Sequence, residues 1–294
     1  MTAPDSLLME QAGPVTTLTI NRPEAYNALN ADLLAALRDS VLTAEADPSV
    51  RVVVVTGAGE KMFSAGADLK ELAGMSSDRA HETMRAGQRV MRDLERAAVP
   101  VVAAVNGLAL GGGFELVLTA TFAVLSTRAS LGLPESSLGL IPGYGGTQRL
   151  PRAIGAQTAA YLMLTGARLD ADQAFQLGLT PIPPVAPKDL MATATVIAQT
   201  IAAQGPLAVR SILAAIEGGR DASLDAGLQL ETGLAALAVG GAESDEGVAA
   251  FLQRRTADFP DAGAATSHET PAAILFGPQG QTAGSQTRAS DEER

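Results

Sequence analysis

The 294-residue chain contains no cysteine and only two histidines, His81 and His268. The first absence excludes disulfides, thiolate nucleophiles and cysteine-ligated metals. The second argues against a Ser-His-Asp triad or a histidine zinc site, because His81 lies in a polar helical stretch and His268 in a Ser/Thr/Gly-rich tail. No apolar stretch reaches the roughly 18 to 20 residues that a membrane span requires. The N-terminal "MTAPDSLLMEQ" has neither a basic leader nor an apolar signal core, so a cytoplasmic protein without a membrane partner is expected. Basic residues are few: 21 Lys and Arg stand against 32 Asp and Glu, for a net charge of −11. Clustered Lys and Arg drive phosphate binding, so no nucleic-acid partner is expected, although a local basic pocket remains open. The chemistry is left to carboxylates and backbone amides.

An apolar content of 47% is enough for one large core or for a core with a smaller appended unit. β-branched runs alternate with helical patterns: "VTTLTI" (15–20), "NADLLAALRDSVLTAEAD" (30–47), "RVVVVTG" (51–57), a helix from about Asp78 to Ala97, and "PVVAAVNG" (100–107). Continuous apolar strands such as 52–55 are those expected when helices cover both faces of a sheet, and the fold class is α/β. Beyond about Gly143 strand signals fade, and helical periodicity runs through "KDLMATATVIAQTIAAQ", "PLAVRSILAAIEGG" and "DEGVAAFLQRR". From Pro260 the composition turns to Gly, Ala, Ser, Thr and Gln, which predicts a mobile tail whose one apolar patch is "AILFG" (273–277).

Three glycine-bearing segments carry the functional signal. In "VNGLALGGGFEL" a strand-to-helix passage leaves the first helical N–H groups unpaired, and Gly111, Gly112 and Gly113 let a ligand oxygen reach them. Neither the dinucleotide Gly-x-Gly-x-x-Gly spacing nor a Gly-Lys-Ser/Thr is met. "MFSAGADLKEL" (62–72) is a second such loop, and the two, about 45 residues apart, can aim two amides at one oxygen as an oxyanion hole. Each loop taken alone reads as an ordinary turn. "LGLPESSLGLIPGYGGTQRL" (131–150) sets Glu135 behind Pro134, where alone it reads as a helix cap; beside Glu115 it becomes the second member of a carboxyl pair able to divide acid and base roles.

These residues, with "VTTLTINRPEAYNALN", "SAGADLKEL", "PVVAAVNGLALGGGFEL" and "LPESSLGLIPGYGGTQRLPRAIG" in order, resemble the enoyl-CoA hydratase/isomerase (crotonase) superfamily over nearly nine tenths of the chain. The resemblance implies a crotonase-like spiral of ββα units over residues 1–200, a helical trimerisation region over 201–259, and a tail over 260–294. It implies a homotrimer or homohexamer, and an acyl-CoA thioester substrate with no separate cofactor. It places the oxyanion donors at the amides of Ala67 and Gly112, the water-activating base at Glu115, the acid that protonates C2 at Glu135, and a water-site glycine at Gly143. Substrate-binding positions implied in the same way are Arg22, Ala65, Asp68, Leu69, Lys70, Phe251 and Arg254, the last two reaching from a neighbouring subunit; Lys61 could add to a basic rim for the CoA phosphates. Phe251 reads equally as a helix-face apolar residue and the arginines as solvated charges. The acyl pocket would draw on the helix between Leu72 and Arg96, where Met75, Met84 and Met91 line a tunnel or pack in the core.

The implied reaction is hydration of a trans-2-enoyl-CoA to a 3-hydroxyacyl-CoA. A Δ3,Δ2-enoyl-CoA isomerase, a specialised lyase, and a non-catalytic CoA-binding or assembly protein are the alternatives. The chain departs from the family pattern at Thr121, where an Asp is usual, and at Thr180 with its neighbouring prolines, where a Val-rich segment is usual.

Overall fold

A computed structural model describes residues 6–259; the mobile tail expected from Pro260, with "AILFG" and His268, lies outside the described residues. The chain opens with β1 (Leu7–Ala12) and β2 (Val15–Ile20), an antiparallel pair. It continues through α1 (Ala31–Ala46), β3 (Val52–Gly57), β4 (Met62–Ser64), α2 (Leu69–Leu72), α3 (Ser77–Glu95), β5 (Val101–Val105), β6 (Leu108–Leu110) and α4 (Gly112–Thr119). β7 (Phe122–Leu125), β8 (Ser130–Gly132), α5 (Gly146–Ile154), α6 (Ala156–Thr165), β9 (Arg168–Asp170) and α7 (Ala171–Gln176) follow, and α8 (Leu190–Ala202), α9 (Pro206–Gly219), α10 (Leu224–Val239) and α11 (Ala242–Gln253) complete the described chain.

Strands β3 to β8 come in consecutive pairs, and the two members of each pair part company. The first strands join a five-stranded sheet in the order β1-β2-β3-β5-β7, and the second strands join a four-stranded sheet in the order β4-β6-β8-β9. Each ββ step therefore advances both sheets by one strand, with parallel pairing from β2 to β7 and from β4 to β8. This is the α/β spiral of repeated units expected of the chain. Strand β1 carries no marked alternation and pairs as an exposed edge, and β9 appears beyond Gly143, where strand patterning had faded; both owe their place to sheet edges rather than to local propensity.

Alternation along the central strands splits the core. Val53, Val55, Ala103, Val105 and Leu125 face α1, α3 and α4, while Val52, Val54, Val102, Ala104 and Val124 face α8. α8 meets the sheet through Leu190, Ala194, Ala198 and Ala202, one residue per helical turn, whose small side chains allow close approach. α1 starts where Asn30 accepts a hydrogen bond from the Leu33 amide (3.0 Å) and buries Leu33, Leu37, Val41 and Ala44 along one stripe. Met91 lies in the core, while Met84 packs beside Gly143 and Met75 accepts a long contact from the Thr83 hydroxyl (3.7 Å). At the two departures from the family pattern, the Thr121 hydroxyl accepts from the Val101 amide (3.0 Å) and the Thr180 hydroxyl donates to the Ala123 carbonyl (2.6 Å). Both hydroxyls tie down backbone groups at the ends of the five-stranded sheet.

Among the described residues no single helix is long and apolar enough to cross a membrane; residues 187–202 and α9 pass that test only as a pair bent by 105°, and α8 spends its apolar face on the sheet. Because Leu37 is fully buried and Leu42, on the same helix, is exposed, Leu37→Ala should lower the unfolding free energy by about 2–5 kcal/mol and Leu42→Ala by less than about 1 kcal/mol in urea titrations.

Candidate active site

Strands β4, β6 and β8 lie side by side and run parallel, so the segments that leave their C-terminal ends emerge together, the position where α/β sheets hold ligands. Those segments carry Ala67, Gly111–Gly112 and Glu135. The loop after β4 is fixed from below. The Leu29 amide donates to the Gly66 carbonyl (2.7 Å), the Asp68 amide to the Leu29 carbonyl (3.0 Å) and the Ala65 amide to the Tyr26 carbonyl (3.0 Å). These bonds engage the neighbours of Ala67 and leave its own N–H without an acceptor among the described residues.

The turn after β6 approaches that loop closely. A Cβ on Gly66 would sit 2.6 Å from the Leu110 carbonyl oxygen and 3.0 Å from the Gly112 nitrogen, and one on Gly112 would sit 3.2 Å from the Ala67 nitrogen. Gly111 turns the chain at φ +50, a conformation that disfavours any side chain, and a Cβ there would meet Glu135 Oε1 at 2.9 Å. The amide of Gly112, at the start of α4, likewise has no acceptor among the described residues. Two unengaged amides from two loops thus lie beside one another, with Glu135 close behind.

Glu115 points inward from the first turn of α4 and is 1% exposed. Its Oε1 accepts hydrogen bonds from the amides of Tyr144 (2.8 Å) and Gly146 (2.7 Å), so Oε2 is the oxygen left for a proton. Burial raises the carboxyl; the Gly146 amide opposes this, the negative charge of Glu135 adds to it, and the Tyr144 amide and Arg149 oppose it, leaving the group at about 7. Glu135 starts a 3-10 turn behind Pro134, and its carboxyl is raised by burial, with Oε2 lacking any hydrogen-bond partner. Two carboxyls that both resist ionisation face the same space. Tyr144 packs its ring against Gly87 and Gly112, and burial, then the charges of Glu115 and Glu71, push its phenol up to about 12. The ring forms one wall of a cleft of about 1110 Å³ between α1 and α3, shared with Leu34, Gly87 and Val90.

The remaining expected positions divide. Gly143 lies at the rim, its carbonyl accepting from Gln88 Nε2 (2.9 Å), and Ala65 lies at the loop base. Arg22 is committed within the fold: its guanidinium donates to Asp68 (3.0 Å) and to the Ala28 carbonyl (2.6 Å), and Asp68 also caps α2. These two residues form an ion pair at the base of the loop. Leu69, Lys70 and Lys61 are exposed. Phe251, 82% exposed, and Arg254, at the end of α11, make no hydrogen bond or ion pair with the site within one chain among the described residues. No group of three or more His, Asp or Glu able to hold a metal ion is found among the described residues. Reading the sequence missed the amides of Tyr144 and Gly146, and it missed Asn27, fully buried, whose Nδ2 donates to the carbonyls of Ala58 (3.1 Å) and Met62 (2.9 Å) and braces the β4 loop. The "GYGG" cluster was the available signal for the amides, whereas Asn27 in "NRPEAYNAL" gave none beyond its residue type.

The sequence profile of the enoyl-CoA hydratase/isomerase family matches residues 10–262. The chain belongs to that family. It is 40% identical over 255 residues to a crotonyl-CoA hydratase of Syntrophomonas wolfei, covering 87% of this chain and 98% of that protein. It is 40% identical over 254 residues to a 2,3-dehydroadipyl-CoA hydratase of Escherichia coli, covering 86% and 98%. Among solved structures, an enoyl-CoA hydratase from Bacillus anthracis superposes with a TM-score of 0.84 at 39% identity, covering 87% of this chain and all of that one. The superposition agrees with the crotonase fold described above.

Glu115 yields a stability prediction. Its folded carboxyl, at about 7, lies above its ordinary value of 4.5, so the native state holds a proton that the unfolded state has released between those values, and stability falls as pH rises from 4.5 through 7. Glu115→Gln, which keeps an acceptor for both amides, should raise the unfolding free energy at pH 8 by about 3 kcal/mol. The gain should vanish near pH 4.5 in denaturant titrations.

Proposed function

We propose that the protein is an enoyl-CoA hydratase that adds water across the 2,3 double bond of a trans-2-enoyl-CoA. The observation that carries this reading is the pair of unengaged amides, Ala67 and Gly112, set beside two carboxyls whose ionisation burial opposes. The amides take the thioester carbonyl oxygen and stabilise the enolate charge that develops when C3 is attacked; one such donor contributes about 3–4 kcal/mol to the transition state. Ionised Glu115 withdraws a proton from water as the oxygen bonds to C3, and protonated Glu135 delivers its proton to C2 as the enolate collapses. The product carries the elements of one water molecule, and return of the proton from Glu115 to Glu135 resets the pair. The S. wolfei and E. coli relatives, both hydratases of enoyl-CoA type by name, support the same reaction class.

In this reading Ala65, Leu69 and Lys70 lie towards the CoA portion of the substrate. Ile212, Ile216, Leu228, Leu237, Val248 and Phe251 leave an apolar surface exposed on α9, α10 and α11, of the kind that assembly buries. A homotrimer, or a hexamer of two trimers, would cover it and bring Phe251 and Arg254 to a neighbour's substrate. Light scattering should therefore report a trimer or hexamer, and Leu237→Glu should dissociate it; a monomeric wild-type protein would contradict this assembly.

The decisive assay follows the loss of conjugated thioester absorbance with crotonyl-CoA and longer trans-2-enoyl-CoAs. Wild type should hydrate at least one, and Glu115→Gln and Glu135→Gln should each fall by about 10²- to 10⁴-fold while still binding CoA esters. Binding without hydration would overturn the reading and direct the assay to 3-enoyl-CoAs, the substrates of an isomerase.

A further inference from the structure

Behind the site lies a buried ion-pair cluster that the reaction as described does not use. Arg149, on α5 and 15% exposed, donates from Nη1 to the Tyr144 carbonyl (2.9 Å) and from Nε and Nη2 to the two oxygens of Glu95 (3.0 and 2.9 Å). Glu95, the last residue of α3 and 3% exposed, also receives Arg220, which follows α9, and Arg92 (3.3 Å). Burial would raise the Glu95 carboxyl, but the hydrogen bonds and charge of Arg149, then those of Arg220, override it and hold the group at about 2. Glu95 is therefore ionised at any working pH.

The position of the Tyr144 carbonyl gives this cluster its meaning. It lies in the chain between the two amides, of Tyr144 and Gly146, that grip Glu115 Oε1. A guanidinium fork anchored on Glu95 fixes direction as well as distance, because its two parallel bonds leave the third donor aimed at one point. We propose that Arg149, braced by Glu95, is a positioning residue: it holds the 144–146 segment so that both amides stay on Glu115 Oε1 and Oε2 stays aimed at the reacting water. Through Arg220 the same clamp connects this segment to the end of α9. The proposal rests on the hydratase reading for its kinetic consequence and on geometry alone for its structural one.

The charged and titratable groups that act on Glu115 are Glu135 from the 3-10 turn, the Tyr144 phenol from the loop and Arg149 from α5, with Glu95 and Arg92 of α3 behind Arg149. The charge of Arg149 and the two amides all favour ionised Glu115, so loosening the clamp moves its titration upward. Arg149→Gln should lower kcat for enoyl-CoA hydration by about 10- to 100-fold with KM little changed, and shift the acid limb of the kcat/KM profile to higher pH. The Glu115 carboxyl, followed by 13C NMR and assigned with Glu115→Gln, should titrate at higher pH in the same variant. Arg152→Gln, on the same helix but 53% exposed, should leave all of these unchanged. Arg149→Lys keeps the charge without the fork and should leave most of the kcat deficit. Should Arg149→Gln fail to fold, Glu95→Gln, which removes the brace and keeps the Arg149 charge, carries the kinetic test, with kcat falling and KM little changed. An unshifted Glu115 titration with only a loss of thermal stability would overturn the proposal, as would full rescue by Lys. If wild type hydrates no enoyl thioester, the hydratase reading falls while the NMR titration still decides the clamp.

Discussion

The site depends on one buried carboxylate and the two backbone amides that hold it. Glu115, 1% exposed, would be a costly charge without partners, and two amide bonds to one oxygen reduce that cost without abolishing it. The outcome is a carboxyl poised at about 7, ionised or protonated according to its neighbours. Had Glu115 formed an ion pair of the kind Glu95 makes, it would be fixed as an anion and of little use as a base. The chain has both solutions within one region, with Glu95 as clamp and Glu115 as titrating group, and the difference between them is the placement of arginine fork and backbone amide.

The rest of the fold can be understood as the means of bringing these groups together. Splitting each strand pair between two sheets brings the ends of β4, β6 and β8 to one edge although their loops are widely separated in sequence. The five-stranded sheet, packed on both faces, is the rigid support; the four-stranded sheet is short and carries the loops. Gly66 lets the two loops approach to a distance no side chain permits, and Gly111 supplies the positive φ of the turn, so that the amides of Ala67 and Gly112 lie beside one another. Their dipoles are already oriented before substrate arrives, and in the proposed reaction that preorganisation is what stabilises the enolate.

Much of this was legible in the sequence, and the remainder was not for physical reasons. Continuous valine runs such as 52–55 announced a sheet covered on both faces, and the polar and apolar spacing of 30–47 and 78–97 announced helices that begin and end within a residue or two of those bounds. The loops of Ala67 and Gly112 stood out by their glycines. The amides of Tyr144 and Gly146 left only the trace of the "GYGG" cluster, because a backbone donor has no residue signature of its own. Arg149 was hidden for a different reason: its carboxylate partner, Glu95, lies 54 residues away, and only the folded chain shows that a surface-looking arginine is 15% exposed. The pairing of Arg22 with Asp68 was hidden in the same way, since 46 residues separate the two.

The most direct test of the central claim, that the amides of Ala67 and Gly112 polarise a thioester carbonyl, is the infrared difference spectrum of an enoyl-CoA carrying a 13C-labelled thioester carbonyl, free and bound to the protein. Two preorganised donors on that oxygen predict a carbonyl stretch shifted to lower frequency on binding. A bound carbonyl that absorbs where it does in water would contradict the account.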